Sequence, residues 1–171
     1  AQVFPGQGSQ FVGMGKDLFD QYSEAKKHFL EANKILGFKI TEIMFEGSQK
    51  ELTETNIAQP AIFIHSIIKS RLVKKKGEII GVAGHSLGEF SALVASNSIS
   101  FQDGLKLVNI RAKEMRKACE ENPGTMAAVI GLENESVENC CNKIKEIVVP
   151  ANYNCPGQIV VSGEKKAIIS V

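Results

Sequence analysis

An apolar run leads directly into a small, glycine-flanked serine turn, and this combination is compatible with few folds. The run is EIIGVAG at 78–84, and the turn is GHSLG at 84–88. An almost wholly apolar segment of strand length, rich in Ile and Val, is typical of a central parallel strand covered on both faces. The residues that follow, at 86–97, predict a helix. A helix, a buried strand and a second helix in this order indicate the α/β class with a parallel sheet.

A G-x-S-x-G turn between a strand and a helix indicates a serine nucleophile. The strained turn projects the hydroxyl of Ser86, and the flanking glycines let neighbouring backbones pass close. A helix that begins at Ser86 aims free N–H groups and the positive end of its dipole at an oxyanion on the attacked carbonyl. We expect the Leu87 N–H to be one oxyanion donor and the Gln7 N–H, in the glycine-rich loop after the first strand, to be the other. A chance turn is the alternative, and the flanking strand and helix make it the weaker one.

The remaining elements predict a large subdomain followed by a small one. Residues 2–4 predict a buried strand, and helices are expected at 16–36, from Pro60 to Lys76, and after Asp103 to about Glu121. Beyond Asn122 the chain reads as strand, helix, strand and strand, at 126–132, 136–145, 147–154 and 158–163. We therefore expect subdomains at 1–122 and 123–171.

Composition excludes several classes of function. Twenty basic and nineteen acidic side chains give a net charge of +1, which offers no electrostatic footprint for nucleic acid or an anionic membrane. The four cysteines, at 119, 140, 141 and 155, form no CxxC pair and lie near no histidine at metal-ligand spacing. The sequence has no run of membrane-span length and no signal peptide at its start. We expect a cytoplasmic protein without a metal site.

The glycine-rich segment at 5–16 superficially resembles a phosphate-binding loop. That loop needs glycine where Gln10 stands, and a serine or threonine where Asp17 stands. The dinucleotide pattern also fails, because Phe11 occupies its third glycine position. A nucleotide-binding role is therefore disfavoured.

Arg111 lies one position off the apolar stripe of its predicted helix, a stripe formed by Leu105, Val108, Ala112, Met115 and Cys119. Its guanidinium could grip a carboxylate through two parallel hydrogen bonds, a geometry that lysine cannot offer. Periodicity alone favours an ordinary surface arginine whose stem lies along apolar neighbours.

Five segments in order carry a family resemblance: VFPGQGSQFVGMG at 3–15, NIAQPAIF at 56–63, AGHSLGEFSALVA at 83–95, RAKEM at 111–115 and ANYNCPGQIVVSG at 151–163. Together they resemble the bacterial malonyl-CoA:acyl-carrier-protein transacylases. The resemblance implies an α/β-hydrolase-like large subdomain with a ferredoxin-like small subdomain. It also implies an enzyme of fatty acid biosynthesis that transfers a malonyl group from malonyl-CoA to the phosphopantetheine thiol of acyl-carrier protein.

The same resemblance assigns roles to residues. Ser86 would carry the malonyl group, Arg111 would bind its free carboxylate, and Gln59 and His85 would line the site. Gln7 and Leu87 keep their oxyanion roles. We expect no metal or tightly held cofactor, because coenzyme A enters as part of the substrate, and we expect a monomer.

The chain departs from the family in its histidines. The family's general base follows the serine in the sequence, but the histidines here are His28, His65 and His85. His85 adjoins the nucleophile and should leave the turn in another direction, and the other two lie on predicted helices. We therefore expect the base to lie outside these residues. For a polypeptide of these 171 residues alone, we expect negligible transfer and an exposed apolar sheet edge.

Three other functions remain open. The chain could be an acyltransferase domain of a polyketide or fatty acid synthase, which would carry the same motifs. It could be a serine esterase or thioesterase, which has no need of a carboxylate clamp. The alternative without catalysis is an inactive fragment that binds carrier protein.

Overall fold

Two strands and a set of helices make up the first part of the chain. The computed structural model describes residues 1–73 and 77–171, and it divides into the units Ala1–Arg116 and Lys117–Val171. The division falls within a long helix, α7 (Phe101–Glu121). The elements up to and including this helix are β1 (Gln2–Phe4), α1 (Lys16–Gln21), α2 (Ser23–Leu36), α3 (Ile40–Glu46), α4 (Gln49–Thr53), α5 (Thr55–Leu72), β2 (Val82–Gly84), α6 (Gly88–Ala95) and α7.

Strands β1 and β2 pair in parallel, and this pairing positions the serine turn. Gln2 lies opposite Val82 and Phe4 opposite Gly84, so both strands end at the same edge. The His85 N–H continues the ladder by donating to the Phe4 carbonyl at 3.0 Å. The glycine-rich loop after β1 and the serine turn after β2 therefore start side by side, as the α/β prediction requires.

The predicted strand at 78–84 is longer than the observed one. Only Val82–Gly84 is a strand, because its described partner β1 has just three residues and a strand extends only as far as its backbone groups find partners. The expectation of a central strand covered on both faces is wrong for the described residues. Val3 of β1 and Ile80, which precedes β2, are 73% and 88% exposed.

The helix predicted at 16–36 is two helices. Tyr22 adopts an extended conformation (φ −123°, ψ 115°) and ends α1. The Tyr22 carbonyl then accepts from the Lys26 N–H and starts α2. The break lets Phe19 of α1 pack edge-on against Phe29 of α2, with ring centroids 5.9 Å apart. Gly37 ends α2 in the left-handed conformation, as predicted.

The prediction that Pro60 opens a helix is wrong. Helix α5 begins at Thr55, because the Glu54 carbonyl accepts from the N–H groups of Ile57 and Ala58. Pro60 lies inside the helix, where its missing N–H removes one i→i−4 hydrogen bond. The predicted end of this helix includes Lys74–Lys76, which lie outside the described residues.

Helix α5 is the centre of the first unit. Most of its residues from Ile57 to Ile68 are buried, and they pack with buried side chains of α2, α6 and α7 in one apolar core. Only part of the apolar stripe predicted for α7 is buried. Leu105, Val108 and Ala112 are buried, whereas Met115 is 39% exposed. Cys119, the last residue of the predicted stripe, is exposed as well.

The second unit contains a three-stranded antiparallel sheet and two further helices. Its elements are β3 (Thr125–Ile130), α8 (Asn134–Lys143), β4 (Val148–Cys155), β5 (Gln158–Gly163) and α9 (Lys165–Ser170). The sheet order is β3-β5-β4, and its core is formed by Val137, Cys141, Val148, Ile159, Val161 and Ala167. The strand, helix, strand, strand order predicted from the sequence is confirmed, and α9 adds the second helix of a ferredoxin-like arrangement. The boundary predicted near Asn122 lies just after α7.

Across residues 1–73 and 77–171, each helix falls short of the length and apolarity needed to cross a bilayer.

We predict that His65 makes the protein less stable as the pH falls. This side chain lines a pocket of about 420 Å³ beside β1. Burial, and then the nearby Lys69, lower its pKa below the ordinary histidine value. The unfolded chain therefore takes up a proton more readily, so stability is lost as the pH falls from about 6.5 toward the lower folded-state pKa. Urea unfolding between pH 7.5 and 5 should show this loss in the wild type and a smaller one in His65→Gln. The same dependence of the free energy of unfolding on pH in both proteins would contradict the prediction.

Candidate active site

Ser86 occupies a strained turn between β2 and α6. Its φ of 52° is in the left-handed region, which residues with a side chain rarely adopt. The helix predicted to begin at Ser86 instead begins at Gly88, so Ser86 stands outside it, and its side chain is exposed. Strain at a serine between a strand and a helix is the geometry of a nucleophile elbow.

The two glycines of the turn are required because backbones meet there. A Cβ on Gly84 would lie 1.9 Å from the Gly88 carbonyl carbon, and a Cβ on Gly88 would lie 2.3 Å from the Phe4 carbonyl oxygen. Both distances are far below van der Waals contact. The turn therefore requires glycine at both positions, as predicted, because β2, α6 and β1 cross so closely there.

Backbone donors remain available beside the serine. The Gly88 N–H donates to the His85 carbonyl at 2.9 Å, and the Glu89 N–H donates to the Ser86 carbonyl at 3.1 Å. Within the described ranges, the N–H groups of Leu87 and Gln7 have no acceptor in the protein. Both groups are thus free to bind an oxyanion, although that role itself stays a prediction.

Arg111 reaches the nucleophile from α7. Its Nη2 donates to the Ser86 Oγ at 3.1 Å, and its Nη1 donates to the Gln59 Oε1 at 2.5 Å. The Arg111 Cζ lies 6.0 Å from the centre of the Phe90 ring, within the range of a cation–π contact. The surface position that periodicity alone favours is therefore wrong, because tertiary packing turns this half-buried side chain toward Ser86.

The charge of Arg111 is not neutralised within the described chain. Its hydrogen-bond partners there are a glutamine amide and a serine hydroxyl, and no carboxylate of residues 1–73 or 77–171 pairs with it. Arg116, five residues further along α7, does pair with a carboxylate, that of Glu54, at 3.2 Å. A half-buried guanidinium without an anion beside a serine hydroxyl is suited to receive a carboxylate from a substrate.

Gln59 connects Arg111 to the loop after β1. Its side chain is completely buried, and its Nε2 lies 3.5 Å from the Gln7 Oε1 and 3.3 Å from the Met115 Sδ. Gln7 in turn donates to the Thr55 Oγ1 at 3.4 Å. The structure thus brings together the predicted residues Ser86, Arg111, Gln59 and Gln7.

Two contacts of this site were missed from the sequence. They are the contact of Phe90 with Arg111 and that of Met115 with Gln59. Met115 follows Arg111 by four residues on α7, which is the spacing of neighbours on one helical face. That spacing was the available signal. It has little force by itself, since apolar residues recur at such spacing on every amphipathic helix.

The contacts described for the histidines are with residues other than Ser86. A Cβ on Gly6 would lie 2.7 Å from the His85 Nδ1, so the ring of His85 stands against the loop after β1, and its role as a pocket wall stays a prediction. His28 contacts Arg71, with 2.8 Å between the His28 Nε2 and the Arg71 Nη1, and His65 lies on α5. No histidine of the described chain hydrogen-bonds to Ser86. Among the same residues, no three His, Cys, Asp or Glu side chains cluster to hold a metal ion.

Comparison with known proteins places this geometry in a family. Residues 2–171 match the acyl transferase domain. The malonyl CoA-acyl carrier protein transacylase of Bacillus subtilis (strain 168) is 45% identical over 172 residues, which cover 98% of this chain and 54% of that protein. The chain therefore spans about half the length of the curated relatives that it matches.

Solved structures agree with the sequence comparison. An acyl carrier protein S-malonyltransferase from Vibrio cholerae O1 has a TM-score of 0.89 and 40% identity, covering 98% of this chain and 56% of that one. A malonyl-transacylase solved in complex with its type II polyketide synthase acyl-carrier protein also has a TM-score of 0.89 and 40% identity, covering 99% and 56%. The predicted fold class is thereby confirmed.

Proposed function

Since this chain belongs to the acyl transferase domain family, we propose that it supplies the nucleophile and the carboxylate clamp of a malonyl-CoA:acyl-carrier-protein transacylase. The observation that carries this proposal is the pair formed by Ser86 and Arg111, whose atoms Oγ and Nη2 lie 3.1 Å apart. A nucleophile beside an unpaired guanidinium fits an acyl group that ends in a carboxylate. The names of the relatives support the same substrate and acceptor.

The proposed reaction has two half-reactions. The Ser86 Oγ attacks the thioester carbonyl of malonyl-CoA, the new C–O bond replaces the C–S bond, and coenzyme A leaves as the thiol with the serine's proton. The phosphopantetheine thiol of acyl-carrier protein then attacks the malonyl-serine ester, and Ser86 regains its proton. The N–H groups of Gln7 and Leu87 would stabilise the oxyanion in both steps. No metal or tightly held cofactor enters either step.

The same geometry discriminates between the alternative functions. A serine esterase or thioesterase gains nothing from a guanidinium held 3.1 Å from its nucleophile. An acyltransferase domain of a polyketide or fatty acid synthase would share the site, and one structural relative is a transacylase solved with a polyketide carrier protein. We favour fatty acid biosynthesis by a cytoplasmic monomer, because the resemblance to the bacterial transacylases spans the chain.

Intact-mass spectrometry of the full-length natural protein tests the proposal. Incubation with malonyl-CoA should add one malonyl group, peptide mapping should place it on Ser86, and acyl-carrier protein bearing phosphopantetheine should remove it. Malonyl-CoA should acylate the protein much faster than acetyl-CoA. Hydrolysis of the adduct at the same rate with and without carrier protein would favour a thioesterase, and no adduct would favour the inactive binding fragment.

A further inference from the structure

Gln59 combines complete burial with three polar contacts. Its side chain is 0% exposed, yet its amide meets Arg111, Gln7 and Met115. Burying an amide without hydrogen-bond partners costs free energy, and these contacts offset that cost at this position. They also join the guanidinium beside Ser86 to the loop that carries a proposed oxyanion donor.

The identity of the partners sets the direction of the amide. A guanidinium can only donate hydrogen bonds, so the group that faces Arg111 must be the Gln59 carbonyl oxygen. The amide nitrogen must then face the Gln7 Oε1 and the Met115 Sδ, both of which can accept. Gln59 therefore has one acceptor and one donor group, each matched to a different part of the site.

The neutrality of Gln59 matters as much as its geometry. A carboxylate at this position would form an ion pair with Arg111 in a buried setting, where charges interact strongly. The guanidinium would then attract a substrate carboxylate far less. An amide holds Nη1 in place while it leaves the positive charge uncompensated, and the remaining Nη2 points at Ser86.

We propose that Gln59 is a positioning residue that makes the site selective for acyl groups bearing a carboxylate. It orients Arg111 toward Ser86 without neutralising it, and it ties that clamp to Gln7, so that the clamp and the oxyanion loop are held in one network. This inference rests on the proposed malonyl transfer and names the residue that sets its selectivity.

Two substitutions of Gln59 separate the effect of an added negative charge from the effect of a lost hydrogen-bond acceptor. Gln59→Glu keeps the size and the acceptor but adds the competing charge, and Gln59→Met keeps the size but removes the acceptor. In the full-length protein, the ratio of acylation rates (kcat/KM) with malonyl-CoA and acetyl-CoA should fall by about tenfold or more in Gln59→Glu, and by less in Gln59→Met. Gln49→Glu makes the same chemical change on an exposed residue of α4 and should leave the ratio unchanged.

The ratio also distinguishes positioning from a merely structural role. Loss of folded protein lowers both rates equally, so the ratio is independent of the active fraction. A malonyl-selective wild type whose ratio is unchanged in Gln59→Met and Gln59→Glu would overturn this inference alone. If Gln59→Glu yields no folded protein, the ratio in Gln59→Met decides. A wild type that malonyl-CoA does not acylate would overturn the proposed function and this inference together.

Discussion

Replacing Arg111 with alanine should slow the acylation of Ser86 by malonyl-CoA on the order of a hundredfold, and it should leave acylation by acetyl-CoA nearly unchanged. Hydrogen bonds to charged groups contribute about 1.5–3 kcal/mol each, and a carboxylate can accept two from one guanidinium. A loss of about 3 kcal/mol corresponds to roughly that factor in rate. Acetyl-CoA has no carboxylate, so it forms none of these hydrogen bonds with Arg111. Rapid-quench mass spectrometry of the acyl-enzyme measures both rates.

Arg116→Ala is the matched control for this experiment. It removes an arginine from the same helix, one that pairs with Glu54 and Asn56. Its rates with both acyl-CoA substrates should match those of the wild type. Arg111→Lys should recover only part of the loss, because an ammonium keeps the charge without the planar fork. Equal losses with malonyl-CoA and acetyl-CoA in Arg111→Ala would refute the clamp.

The second large effect is expected at the glycine that precedes the nucleophile turn. In Gly84→Ala, the new methyl group would lie 1.9 Å from the Gly88 carbonyl carbon and 2.2 Å from the Glu89 nitrogen. Both atoms belong to the backbone at the start of α6, so no side-chain rotation can relieve the clash. We expect a loss of about 2–3 kcal/mol in the free energy of unfolding, as for an overpacked core. We also expect at least about a hundredfold slower acylation, since a shift of 1 Å at a reacting group has that effect.

Gly81→Ala tests whether this effect comes from the crossing of backbones. Gly81 precedes the same strand, has no left-handed φ, and its Cβ would enter open space. We expect a change within about 0.5 kcal/mol in the free energy of unfolding, with normal acylation. Chemical denaturation and malonyl labelling should be measured on both variants. Wild-type stability and labelling in Gly84→Ala would show that the turn tolerates a side chain.

Local chemistry accounts for the parts of the fold that were predicted correctly. The series of strands and helices after Asn122 follows from alternating and helical patterns of apolar residues over short stretches. The end of α2 at Gly37 follows from the left-handed conformation that glycine adopts at low cost. The failures occurred where neighbours overrode a local signal. Pro60 resembled a helix start, but the Glu54 carbonyl had already started α5 upstream. The break at Tyr22 has no glycine or proline to announce it.

The candidate site shows the same division between local pattern and spatial assembly. The GHSLG turn, with an apolar run before it and a helical pattern after it, was enough to predict the nucleophile, because strain and close backbone approach are encoded within five consecutive residues. The role of Arg111 was not accessible in that way. Its helical position is compatible with a surface arginine, and its contacts to Gln59 and Ser86 span 52 and 25 residues of sequence. Such contacts depend on how α5, α6 and α7 pack, since the periodicity of one helix specifies which face is buried but not which side chain of another element it will meet.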